Sequence, residues 1–167
     1  RLSVPLLCAL DESANICRWP DLPNLYSHYG SRGIILVTFL QSWSQGAEVW
    51  GPDGMKKLWS AANVRGIGRG LAEEGFLAEL SKLIGDRDVL TRDVQTSRTG
   101  RSTSTRNRRE AILEVADLAA LPEGRAVLFV SGLRPILLRL VHWSRRPYGA
   151  DVAASEDYYG TNEVTHV

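Results

Sequence analysis

Apolar residues fall in short runs separated by polar punctuation, and these runs predict strands alternating with helices. Residues 4–10 (VPLLCAL) end abruptly at Asp11 and Glu12. A run of that length with polar bounds predicts a fully buried strand, as in a parallel sheet covered on both faces. A loop with Pro20 and Pro23 follows, then a short helix over 22–29 closed by Gly30. Residues 34–40 (IILVTFL), β-branched and aromatic, predict a second buried strand that ends at Gln41. Two strands joined by a helical crossover of about 20 residues make a right-handed βαβ unit, so both strands end on the same edge.

Further along, the pattern predicts a helix over 42–50 stopped by Gly51 and Pro52, and another over 53–62 with Asp53 as N-cap. A third strand over 63–69 is weakened by Gly66 and Gly68. Residues 71–84 carry leucines and Phe76 at helical spacing, with Glu73 and Glu74 in the first turn, Lys82 in the last and Gly85 as the stop. Loose alternation over 87–96 predicts a strand. A short helix follows over 112–121, then a strand over 125–131, and 135–142 pairs beside it across a turn at 132–134. Past Arg146 periodicity fails, and 148–167 reads as an acidic tail or linker with Asp151, Glu156, Asp157 and Glu163. The expected class is α/β, with a mainly parallel sheet flanked by helices.

At 167 residues the chain is long enough for one domain with a real core. The net charge of +1 says little as a total, but its distribution changes the picture. Residues 98–109 (RTGRSTSTRNRR) hold five arginines and no acid. Among Ser, Thr and Gly these predict a mobile loop drawn to phosphate, with Arg101, Arg106, Arg108 and Arg109 as nucleic-acid contacts. A merely solvated loop fits the same composition. Cys8 and Cys17 make neither a disulfide framework nor a metal-ligand pattern, so a reducing, cytosolic setting is expected. No run approaches the roughly 20 apolar residues of a membrane span, and no signal segment opens the chain. The start without Met, almost directly on a strand, predicts a piece of something longer.

Candidate chemistry gathers at the shared strand edge. Ligands bind outside the carboxyl ends of strands in open α/β sheets, so Asp11, Glu12 and Gln41 form a constellation there. Nucleotide hydrolysis fits it: Asp11 would hold Mg²⁺ through its water shell, and Glu12 would orient and deprotonate the attacking water. Taken alone, an acid at a strand end more often caps the next turn.

The run LDESANI, the Leu22, Pro23 and Leu25 loop, the Ser31–Arg32–Gly33 turn, LQSWSQ, the Ala62–Asn63 step, the Leu80–Ser81 to Gly85 helix end and RAVLFVSGLRP together resemble the conjugative coupling proteins of the TraG and TraD group. The resemblance covers roughly residues 2–147, as the Walker-B half of a RecA-like P-loop ATPase domain, with the TraM-recognition region. It implies a hexameric motor, tethered at the cytoplasmic face of the inner membrane, that uses ATP and Mg²⁺. Such a motor links the relaxosome to a type IV secretion channel and pumps single-stranded DNA. It also implies Asp11 and Glu12 as the Walker-B pair, Gln41 as the glutamine at the next strand end and Arg32 as a nucleotide-binding arginine finger. Arg32 stands directly before Gly33, whereas the family's arginine stands a few residues earlier. The chain has no G-x-x-x-x-G-K-[ST] cradle, and the family's membrane helices and inserted helical domain are missing too, as in a carboxyl-terminal fragment. A non-catalytic DNA- or relaxosome-binding module of the same ancestry, and a duplex-DNA motor of the FtsK or HerA kind, remain open alternatives.

Overall fold

The computed structural model describes residues 2–97 and 100–160, with side chains described outside 93–104. Strands β1 (Leu6–Leu10) and β2 (Ile34–Thr38) pair in parallel, from Leu6 opposite Ile34 to Leu10 opposite Thr38. Their crossover contains α1 (Leu22–Ser31), where Pro23 sits in the first turn and needs no amide partner. Helix α2 (Trp43–Ala61) is broken at Gly51, whose φ of 72° and ψ of 164° suit glycine, and Pro52 follows. It is thus two helical halves, as the Gly51–Pro52 pair predicts.

The expected mainly parallel sheet does not form. Strand β3 (Val64–Ile67) joins neither β1 nor β2; it runs antiparallel to β6 (Arg125–Val130), which pairs antiparallel with β7 (Ile136–Arg139). The connection of five residues between β6 and β7 is too short for a parallel crossover, so a hairpin is the only solution. Residues 100–109 of the arginine-rich segment are not a loop either. Strands β4 (Asp86–Ser97) and β5 (Gly100–Ala111) form a long antiparallel ribbon, Asp86 opposite Ala111 through Ser97 opposite Gly100. At about 3.4 Å per residue the ribbon runs roughly 40 Å. Polar composition argued for a loop, but pairing with β4 satisfies the backbone hydrogen bonds whatever the side chains.

After α4 (Val115–Ala119) and the β6–β7 hairpin, a 3-10 turn at Trp143–Arg145 leads into α5 (Gly149–Gly160). This helix replaces the unstructured tail expected there. It is seeded by a tight approach: a Cβ at Gly149 would lie 2.8 Å from the Ser144 carbonyl oxygen, so only glycine fits against the turn. Residues 161–167, including Glu163, lie outside the described residues.

Two hydrophobic clusters hold the chain. In one, Ile67, Val127 and Phe129 of the antiparallel sheet pack on Leu77 and Leu80 of α3 (Glu74–Ile84) and on Leu118 and Leu121. In the other, Leu22, Met55 and Leu58 pack under Leu10, Leu36 and Leu40. An aromatic chain bridges them: Trp43 stacks on Phe76 at 4.7 Å, Phe76 meets Trp59 edge-on at 5.4 Å, and Trp59 meets Phe129 at 6.4 Å. The expectation of fully buried β1 and β2 strands is corrected: α1 and α2 cover one face, and Leu7, Ile35 and Phe39 on the other are 64%, 52% and 52% exposed. Among the described residues, no helix is long and apolar enough to cross a membrane.

Candidate functional site

The parallel register places Asp11, Glu12 and Gln41 beyond the same ends of two adjacent strands. Beyond the strand, the Phe39 N–H donates to the Leu10 carbonyl at 3.0 Å and the Ser13 N–H to the Phe39 carbonyl at 3.2 Å, so the two chain ends stay in register. Ser13 is fully buried beneath them. Glu12 turns there with a φ of 43°, the one non-glycine at positive φ among the described residues. That conformation costs on the order of 1 kcal/mol or more and is typically kept at functional sites.

Both oxygens of the Glu12 carboxylate are held by amides. Gln41 Nε2 donates to Oε1 at 3.1 Å and Asn15 Nδ2 to Oε2 at 3.3 Å. Gln45 Nε2 donates to Asn15 Oδ1 at 2.8 Å and so steadies Asn15 in turn. The donors are neutral, so they aim the carboxylate without competing as counter-ions. Asp11 Oδ1 accepts the Glu12 N–H at 3.0 Å. Among the described residues, no group of three or more His, Cys, Asp or Glu side chains could cage a metal unaided. A pair of carboxylates does suit Mg²⁺, which keeps most of its waters and leans on substrate phosphates.

A residue that sequence reasoning placed elsewhere supports this edge. Glu73, expected only to favour the dipole of its own helix, instead caps α2: its Oε2 accepts the Trp43 N–H and its Oε1 the Ser44 N–H, both at 2.8 Å. Burial works to raise its pKa, but hydrogen bonds from the Ser44 side chain and from the Ser44 and Trp43 amides outweigh it. The carboxyl is therefore held below its usual range. Glu73 thus pins the chain two residues after Gln41. Asn15 and Gln45 were likewise missed, and only the fold brings them within reach of Glu12.

The other candidates stand apart. Arg32 follows α1 at the start of β2, the end opposite Gln41, with roughly 17 Å of strand between them. The structure does not bring it to Asp11. Arg106, Arg108 and Arg109 are exposed on the ribbon, where Arg101 lies on the same strand with its side chain outside the described ones. Arg109 Nε meets Asp86 Oδ2 at 3.3 Å and Arg108 Nε meets Glu110 Oε1 at 3.7 Å. Cross-strand pairing therefore brings Asp86 to a stretch that is free of acids in sequence.

Residues 5–123, more than half the chain, match the family model described as the TraM recognition site of TraD and TraG. The chain belongs to this family. Among solved structures, an unbound form of the bacterial conjugative coupling protein TrwB matches with a TM-score of 0.62 at 22% identity, over 84% of this chain and 32% of that one. Its form in complex with sulphate matches with a TM-score of 0.64 at 21% identity, over 84% and 32%. The plasmid coupling protein TrwB in complex with ADP and Mg²⁺ matches with a TM-score of 0.62 at 21% identity, over 84% and 31%. The fold of this chain is thus that of part of a coupling protein, and the chain spans about a third of the length of these structures. A comparison with curated proteins found no match.

Proposed function

We propose that this chain is the Walker-B half, residues 1–147, of a RecA-like, ATP-driven coupling protein that moves single-stranded DNA from a relaxosome to a type IV secretion channel. Residues 148–167 form its acidic linker. Asp11 would hold a Mg²⁺ ion through its water shell, Glu12 would take a proton from the attacking water, and Gln41 would keep the Glu12 carboxylate aimed at that water. When bound, ATP with Mg²⁺ supplies the scissile phosphoanhydride and the cation that offsets its charge. The residues present fit the acid side of such a site, and the chain carries no glycine-lysine cradle for the phosphates. Arg32, at the far end of β2, would serve a neighbouring subunit's nucleotide in a hexamer at the cytoplasmic face of the inner membrane. Arg101, Arg106, Arg108 and Arg109 would track the DNA backbone.

The single observation that carries this reading is the 3.1 Å hydrogen bond from Gln41 to Glu12, which joins two parallel strand ends 29 residues apart beside a strained Glu12. A phosphate-binding loop in the parent polypeptide upstream of Arg1 would favour the motor, and its absence there a non-catalytic module of the same ancestry. The test uses the parent polypeptide. Glu12→Gln keeps the Gln41 contact but removes the base, so ATP turnover should fall by roughly 10²–10⁴-fold with nucleotide binding retained. Undiminished turnover would sink the catalytic reading and leave the module. The isolated chain should not turn over ATP at all.

A further inference from the structure

We infer that a cavity at the open end of the β6–β7 hairpin is a phosphate-binding site, separate from the Asp11–Glu12–Gln41 edge and from the ribbon. It is a half-open groove of about 460 Å³, within the range of roughly 300–1,000 Å³ usual for small-ligand sites. Arg125, Arg139, His142 and Arg145 line it, together with Glu123 and the Gly124–Leu140 backbone.

One feature sets it apart from an ordinary basic surface. Arg125 lies directly opposite Arg139 in the ladder, and like charges so placed repel and destabilise a sheet. By strand alternation, Arg125 also shares a face with Val127 and Phe129, the face that carries the hydrophobic cluster. Both arginines are exposed, so their guanidinium groups can meet a ligand from solvent. A phosphate would turn this repulsion into attraction, since the planar fork of arginine pairs two donors with two phosphate oxygens.

The remaining groups agree. Glu123, the one acid of the lining, is turned to Arg69, whose Nη1 meets its Oε2 at 3.1 Å. His142 Nδ1 lies 2.9 Å from Ser144 Oγ, and this contact holds the ring against the 3-10 turn. Its hairpin end is fixed by the Leu140 N–H donating to the Gly124 carbonyl at 2.8 Å. The phosphate could belong to a small phosphorylated ligand or to a nucleic-acid backbone, and the recognition chemistry is the same.

The test is titration of the whole 167-residue chain with inorganic pyrophosphate, read by calorimetry and by the melting midpoint. The wild type should bind and melt higher with the anion. Arg125→Ala and Arg139→Ala should each weaken binding about tenfold or more. Without anion, Arg139→Ala should melt at or above the wild-type midpoint, because a repulsion is gone. Arg139→Lys keeps the charge but loses the fork, and should bind with intermediate affinity. Arg134→Ala, on the turn at the other end of the same hairpin, should bind like the wild type. A single-stranded oligonucleotide that displaces pyrophosphate in an Arg139-dependent way identifies a nucleic-acid backbone as the source; failure to displace it identifies a small phosphorylated ligand. No binding at millimolar pyrophosphate overturns the proposal. So does equal binding by Arg139→Ala and wild type, or an Arg134→Ala loss as large as that of Arg139→Ala.

Discussion

Strands β1 (LLCAL) and β6 (RAVLFV) are both apolar runs with a helix-covered face, yet they meet different fates. Every residue of β1 is at least partly exposed, whereas Ala126, Val127 and Phe129 of β6 are buried. The difference is neighbours. Strand β6 is flanked by β3 and β7, while among the described residues β1 and β2 pair only with each other, so both are edges and one shared face stays bare. Burial of an apolar strand is set by what packs on it, and composition states only the demand. The site falls on the sparsely packed side, where Glu12 is strained and its neighbours are held by polar contacts.

Substitutions can break this comparison. The largest expected effect is in the well-packed region. Leu77→Ala should cost about 2–5 kcal/mol in urea denaturation, because Leu77 is fully buried in the larger cluster. A cost below about 1 kcal/mol would mean that the antiparallel side is no better packed than the parallel one.

Next comes the strap between the two regions. Glu73→Ala should cost about 1 kcal/mol, as loss of a helix cap does. Glu73 titrates below its reference value of 4.5, so its contribution is fully present above that pH and is lost as pH falls through the lower folded value. The stability difference between wild type and Glu73→Ala should therefore shrink below about pH 4. A gap that stays constant from pH 7 to pH 3 would show that the carboxylate is not the cap.

A smaller effect is expected on the ribbon. If its arginines track single-stranded DNA, affinity should fall with salt at a slope of roughly −0.7 per phosphate contact. Replacing Arg101, Arg106, Arg108 and Arg109 by Ala should flatten that slope toward zero in a fluorescence titration. Equal slopes would remove the ribbon from DNA contact. Smallest of all, Leu7→Ser with Ile35→Thr on the bare face should change stability by less than about 0.5 kcal/mol. Light scattering should meanwhile show less self-association, since exposed apolar strands promote it. A loss of several kcal/mol would mean that this face is covered after all.

Much of the local structure was legible because it rests on short-range chemistry. The β1–α1–β2 crossover followed from two apolar runs at a spacing only a helix fits, and Gly51–Pro52 announced the break in α2. The Phe76, Leu77 and Leu80 spacing announced α3. The Asp11, Glu12 and Gln41 convergence was legible too, since parallel pairing forces two strand ends onto one edge. The ribbon was not, because Ser, Thr and Arg carry no burial signal and its twelve-residue ladder depends on register with β4.

The sequence by itself determined where β1, α1, β2, α3 and β6 lie, which acids stand at a strand end, and the family to which the chain belongs. These depend on periodicity, turn residues and motif order within a few tens of residues. Only the tertiary structure decided that β3 pairs with β6, that Glu73 caps a helix 30 residues away, that Asn15 and Gln41 grip Glu12, and that Arg125 faces Arg139. Each is a contact between residues distant in sequence, and local propensity carries no term for which distant partner arrives.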